Sequence, residues 1–123
     1  MGKFAKFWFP VIGYSAIIFV ISGKQTAGPG FYFPGIDKIF HLVEYTPFGF
    51  LIFRALKGYQ TSSSDTKILV WTVILTLCYG ITDEIHQHFV PNRQADVLDV
   101  LADTVGGLIG GLLFMKIKTR KSE

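Results

Sequence analysis

The sequence predicts an all-α integral membrane protein, a four-helix bundle with both termini cytoplasmic. Three observations lead there. Half of the 123 residues are hydrophobic, twelve of them phenylalanine, and the mean hydropathy is +0.40. The apolar residues gather into four long runs, and a membrane span needs about 20 mostly apolar residues. Lysine and arginine are distributed unevenly between the connections. A soluble domain of this length cannot hide runs so long. The length suits one domain, residues 1–123.

The first run covers about 7–22, behind Lys3 and Lys6. Lysines, an apolar run and then "SG" also suit a secretory leader, but no A-x-A cleavage site follows, so it reads as a span. The second, about 36–56, is peppered with polar groups. The third covers about 67–87 and the fourth about 96–115, ahead of the basic tail "KIKTRK". The connections "SGKQTAGPGFYFPG" and "KGYQTSSSDTK" carry the glycine, proline and polar residues of loops.

With four spans and a cytoplasmic amino terminus, the inner side holds nine lysines and arginines: Lys3, Lys6, Arg54, Lys57, Lys67, Lys116, Lys118, Arg120 and Lys121. The outer side holds three, Lys24, Lys38 and Arg93. That bias sets the expected orientation, in a bacterial inner membrane. Several function classes recede. A net charge of +3, scattered along the chain, does not suit nucleic acid. Cys78 stands alone, so no internal disulfide can form, and it reads as a small packing residue. The serines cluster in the cytoplasmic loop, and no glycine-rich phosphate loop follows a strand.

This topology gathers the polar residues. Asp37, Lys38, His41, Glu44 and Tyr45 open the second span; Asp83, Glu84, His86, Gln87 and His88 close the third; Arg93, Asp96, Asp99 and Asp103 lead into the fourth. All three histidines and seven of the nine carboxylates therefore share the outer face. Asp37, His41, Glu44 or Tyr45 and Phe48 form one helical stripe, and Asp96, Asp99, Asp103, Gly106 and Gly110 form another. The glycines pair as G-x-x-x-G, at 106/110 and 107/111, which suits close helix approach in lipid. Plainer roles fit some members. Asp37 and Asp96 stand where helix caps stand, Lys38 suits snorkelling, Tyr45 suits packing, and His86 and His88 suit a solvated interface. Asp103 is different, lying about 10 Å along the helix from Asp96. Glu44 is similarly deep. A carboxylate at such depth costs a few kcal/mol, so it needs partners. Those expected are the other polar groups and Arg93, the sole outer arginine.

These residues resemble the VanZ-like family of small bacterial membrane proteins, named after an accessory teicoplanin-resistance protein. "DKIFHLVEY", "DEIHQHFVPNR" and "DVLADTVGGLIGG" carry the resemblance over about residues 36–111. Asp37, Lys38, His41 and Tyr45 match the family's first motif. Glu84 and Gln87 match its E-x-x-Q, followed by Pro91 and Arg93, while Asp99, Gly106 and Gly110 match the last. Asp103 stands where many members carry asparagine. The resemblance implies a small polytopic membrane protein; antibiotic resistance belongs to the namesake and reaches this chain only by analogy.

The leading expectation is a binding site at the extracytoplasmic face for an envelope ligand: a glycopeptide, a lipid-linked precursor or a lipid headgroup. Its expected residues are Lys38, His41, Tyr45, Glu84, Gln87, Arg93, Asp99 and Asp103. Arg93 suits a phosphate or carboxylate, and the acids suit amines and hydroxyls. A second reading is a membrane-embedded metal-dependent hydrolase or transferase. His41, Glu84 and Asp99, with His86 as a further donor, are ligands that zinc or manganese accepts, and Gln87 or Asp103 would handle a bound water. No H-x-x-x-H or H-E-x-x-H pair supports it, so no cofactor is expected and the balance lies against an enzyme. A third is a proton-coupled small transporter worked by His41 and Glu84. Four spans are few for a carrier, which would call for a homo-oligomer.

Overall fold

A computed structural model describes residues 2–23, 35–91 and 96–122. They form four helices: α1 (Lys3–Ser22), α2 (Ile36–Tyr59), α3 (Asp65–His88) and α4 (Val97–Ser122). All four are long and apolar enough to cross a membrane. Local signals start them. Gly35 precedes α2 with φ 87°, a left-handed conformation that L side chains rarely adopt. The Ser64 hydroxyl caps α3, accepting from the Lys67 N–H at 3.2 Å. At α4, the Leu98 N–H donates to Asp96 Oδ1 at 2.9 Å. Asp96 is thus the cap the sequence suggests. Asp37 is not: it lies inside the first turn of α2, and its carboxylate turns to Lys38 instead.

The buried residues form one stripe per helix. On α2 they are His41, Tyr45, Phe48, Gly49, Ile52, Phe53 and Ala55; on α3, Ile68, Thr72, Thr76, Gly80, Asp83, Glu84 and Gln87. On α4 the stripe is Asp99 and Asp103 followed by Gly106, Gly107, Gly110 and Gly111. Large apolar side chains such as Phe40, Val43, Trp71, Ile85, Leu98 and Leu101 point outward. That inverts a soluble protein and suits a lipid solvent. The two buried threonine hydroxyls of α3 are satisfied in their own helix: Thr72 donates to the Ile68 carbonyl and Thr76 to that of Thr72.

The most extensive pairing joins α2 to α4, which run parallel. A Cβ on Gly106 would strike the Leu42 carbonyl, and one on Gly110 would strike that of Thr46. The two backbones touch, as the small-residue spacing predicts. Antiparallel to them, α3 lies against both, with Gly80 beside Asp103 and Thr76 beside Gly107. By contrast α1 packs mainly on α2, lightly on α3 and not on α4 among the described residues. Tyr14 donates to the Glu44 carbonyl at 2.5 Å, and Tyr79 to that of Ser15 at 2.6 Å. Only 11% of α1's most apolar stretch is buried, against 33–39% for the others, so this helix presents the most surface to lipid.

Candidate functional site

The start of α2, the end of α3 and the start of α4 meet at one end of the bundle. There Asp103 is fully buried, and His41, Asp83, Glu84, Gln87 and Asp99 are each less than a tenth exposed. At the centre is His41. Its Nδ1 lies 2.7 Å from Asp103 Oδ1 and its Nε2 lies 3.5 Å from Asp99 Oδ2. A carboxylate accepts, so Nδ1 carries a proton toward Asp103, and Nε2 faces the second carboxylate, Asp99.

Lys38 ties the mouth together. Its ammonium donates to Asp37 Oδ2 at 2.8 Å and Asp96 Oδ2 at 2.7 Å, and sits 2.7 Å from Asp99 Oδ1. The expected snorkelling is therefore corrected: acceptors from two helices turn this side chain into a bridge. Lys38 and the Leu98 N–H also hold the Asp96 carboxyl below the usual carboxylate range. Glu84 Oε2 accepts from the Asp96 N–H at 2.8 Å, which joins α3 to the cap of α4.

Beneath, the fully buried Tyr45 donates to Asp83 Oδ2 at 3.1 Å, so it does more than pack. Asp83 is a buried acid that the sequence places at the polar end but that the expected binding residues leave out. Its signal was present, one turn below Gln87 on the stripe that runs from Thr72 through Thr76 and Gly80. His86 departs from expectation too. Rather than standing solvated, its ring stacks on Phe19 of α1, 4.1 Å between centroids and 6° from parallel. It lies outside the cluster, whereas His88 is exposed. Arg93 lies outside the described residues.

Several buried acceptors have no hydrogen-bond donor among the described residues: Glu84 Oε1, Gln87 Oε1 and Asp103 Oδ2. Donors are scarce at this end, where Lys38 is the one lysine or arginine described. Chemically, the arrangement is an acceptor-rich cluster whose members are tied to one another by hydrogen bonds and ion pairs. One trio, His41, Glu84 and Asp99, offers one nitrogen or oxygen atom from each residue, all within 4.8 Å of one another; His41, Asp83 and Asp103 form a second.

The VanZ/LLP1 family model matches residues 3–118, which include all four helices nearly end to end. The chain belongs to the VanZ/LLP1 family. This VanZ/LLP1 member is a small membrane protein with four apolar helices, and the match extends beyond the motif-bearing segment to take in α1. No curated protein and no solved structure is significantly similar to the chain.

Proposed function

We propose that this VanZ/LLP1 protein binds an envelope ligand at the polar end of its bundle, and that this end faces the extracytoplasmic side of the inner membrane. The orientation rests on the nine-to-three distribution of lysine and arginine. One observation carries the binding reading: buried oxygens of Glu84, Gln87 and Asp103 lack donors among the described residues. A buried acceptor without a donor costs about 1–3 kcal/mol, and more when charged, so a ligand that brings donors recovers that energy. The ligand is accordingly one that presents ammonium or hydroxyl groups, with Glu84, Gln87, Asp99 and Asp103 as its acceptors. His41 and Lys38 hold those acceptors in place.

Two envelope sources share this chemistry, an amine-bearing glycopeptide and an amine-bearing lipid headgroup. Purified protein in nanodiscs should be titrated with an amine-bearing glycopeptide and with its N-acetylated form. Native mass spectrometry should separately compare retention of phosphatidylethanolamine with that of phosphatidylcholine, whose headgroup has no N–H. One arm should show binding that Glu84→Gln and Gln87→Leu each weaken at least about tenfold, the loss of one or two hydrogen bonds to a charged group. Binding in neither arm, or binding indifferent to both substitutions, would sink the reading.

A further inference from the structure

We propose that His41, Glu84 and Asp99 form a three-ligand site for one divalent transition-metal ion, with zinc the best fit. The inference rests on reading the polar end as the ligand-receiving part of the protein and identifies a cation held there. The ion takes two of the acceptors, Glu84 and Asp99, together with His41. Its open coordination position, the Gln87 amide and Asp103 Oδ2 remain for the envelope ligand.

Each of the three residues has two polar atoms, and in each case one is already engaged. His41 Nδ1 is held by Asp103 Oδ1 at 2.7 Å, Asp99 Oδ1 by Lys38 Nζ at 2.7 Å, and Glu84 Oε2 by the Asp96 N–H at 2.8 Å. The atoms left over are His41 Nε2, Asp99 Oδ2 and Glu84 Oε1. One atom of each residue lies within 4.8 Å of the other two, which a single ion can span. Glu84 is 7% exposed, and its Oε1 has no partner among the described residues, an arrangement that a cation explains and a solvated acid does not.

The separation of two of the three ligands suits zinc. Two ligands bound at about 2.0–2.1 Å around a tetrahedral ion stand about 3.3 Å apart. His41 Nε2 and Asp99 Oδ2 stand 3.5 Å apart, too far for a good hydrogen bond and close to that tetrahedral edge. Metal-bound histidines nearly always give their other ring N–H to a carboxylate, a backbone carbonyl or water, and Asp103 fills that position. The second trio fits less well. His41 Nδ1 and Asp103 Oδ1 are already bonded at 2.7 Å, shorter than a ligand edge, and Tyr45 donates to Asp83 Oδ2. Asp103 is thus a positioning residue, while Lys38 fixes Asp99 and balances part of the charge.

Full-length protein, purified in detergent and loaded with zinc, should retain about one ion per chain by elemental analysis after gel filtration. Glu84→Gln and Asp99→Asn should each abolish retention, and Asp103→Asn should weaken affinity about 10–100-fold, as loss of an orienting carboxylate does. Asp83→Asn should keep its zinc. Because a cluster variant can fail to fold, cobalt titration of the wild-type protein supplies an independent measurement. Four-coordinate cobalt gives intense visible bands saturating at one equivalent, which zinc then bleaches. The assignment is overturned if folded wild-type protein retains no zinc and gives no such bands. Zinc retained by both Glu84→Gln and Asp99→Asn, or lost from Asp83→Asn alone, would also overturn it. The two proposals fail separately. Metal-free protein that binds glycopeptide or phosphatidylethanolamine but never zinc removes only the ion. Stoichiometric zinc with no binding in either ligand arm removes only the envelope ligand.

Discussion

His41 Nδ1 and Asp103 Oδ1, from residues 62 apart in sequence, meet at 2.7 Å in the interior of the bundle. Removing the acid would leave an unpartnered imidazole beside Asp99. Breaking a buried charged pair of this kind costs about 3–5 kcal/mol. Asp103→Leu should therefore fail to accumulate in the membrane. Asp103→Asn keeps an oxygen for the Nδ1–H and should accumulate close to wild type. Quantitative immunoblotting of membrane fractions separates the two.

Lys38 and Arg93 should behave differently. Lys38 bridges Asp37, Asp96 and the buried Asp99. Lys38→Gln should thus lower accumulation, and adding Asp99→Asn should restore part of it by removing the stranded charge. The described carboxylates of the cluster are tied by Lys38, His41, Tyr45 and the Asp96 N–H. On the proposed reading of Arg93 as a ligand contact, Arg93→Gln should accumulate normally. Comparable losses in both variants would contradict this division of labour.

Asp96 sets a pH dependence with a definite sign. Lys38 and the Leu98 N–H lower its folded-state pKa, so its contribution is complete above the unfolded value of about 3.9. It is lost as pH falls through the lower folded value. The difference in melting temperature between wild type and Asp96→Asn should stay constant from pH 5 to about 8 and vanish in stronger acid. A difference that disappears near neutrality would argue against the Lys38 bridge.

Glycine substitutions should grade with the space around them. A Cβ at Gly110 would meet the Thr46 and Phe50 backbone, whereas one at Gly13 meets nothing within 4 Å. Gly110→Ala should cost at least the 1–3 kcal/mol typical of overpacking, roughly, because backbone cannot rotate away. Gly13→Ala should be neutral or slightly stabilising. Thermal unfolding in detergent gives the comparison.

Orientation is open to labelling. With Cys78→Ser as background, Pro91→Cys should react with an impermeant thiol reagent added outside intact cells, and Ser62→Cys should not. The reverse pattern would turn the polar end toward the cytoplasm.

Much of this was legible in sequence, for identifiable reasons. Four long apolar runs mark four helices because lipid leaves the backbone few alternatives. The α4 stripe could be read because carboxylates and glycines recur there at intervals of three and four, a pattern that aliphatic neighbours do not obscure. Lys38 was misjudged because a lysine in the first turn of a span has an easy route to water. What turns it aside are acceptors from α4, some sixty residues away. Asp83 was hidden by Glu84. Neighbouring residues on a helix diverge by about 100°, and sequence does not show that α2 and α4 together cover both directions. The stacking of His86 on Phe19 depends on where α1 settles, and a helix apolar on nearly every side gives no sign of its partner.

The parallel pair α2 and α4 behaves mechanically like tweezers joined part-way along their length. Below, at Gly106 and Gly110, the two shafts are in backbone contact and leave no slack. Above, one arm carries Lys38 and His41 and the other carries Asp96, Asp99 and Asp103. Widening the jaws therefore means flexing the upper arms rather than sliding the helices apart. Lys38 is the clasp across the tips, so parting the arms there first requires its ion pairs with Asp96 and Asp99 to break.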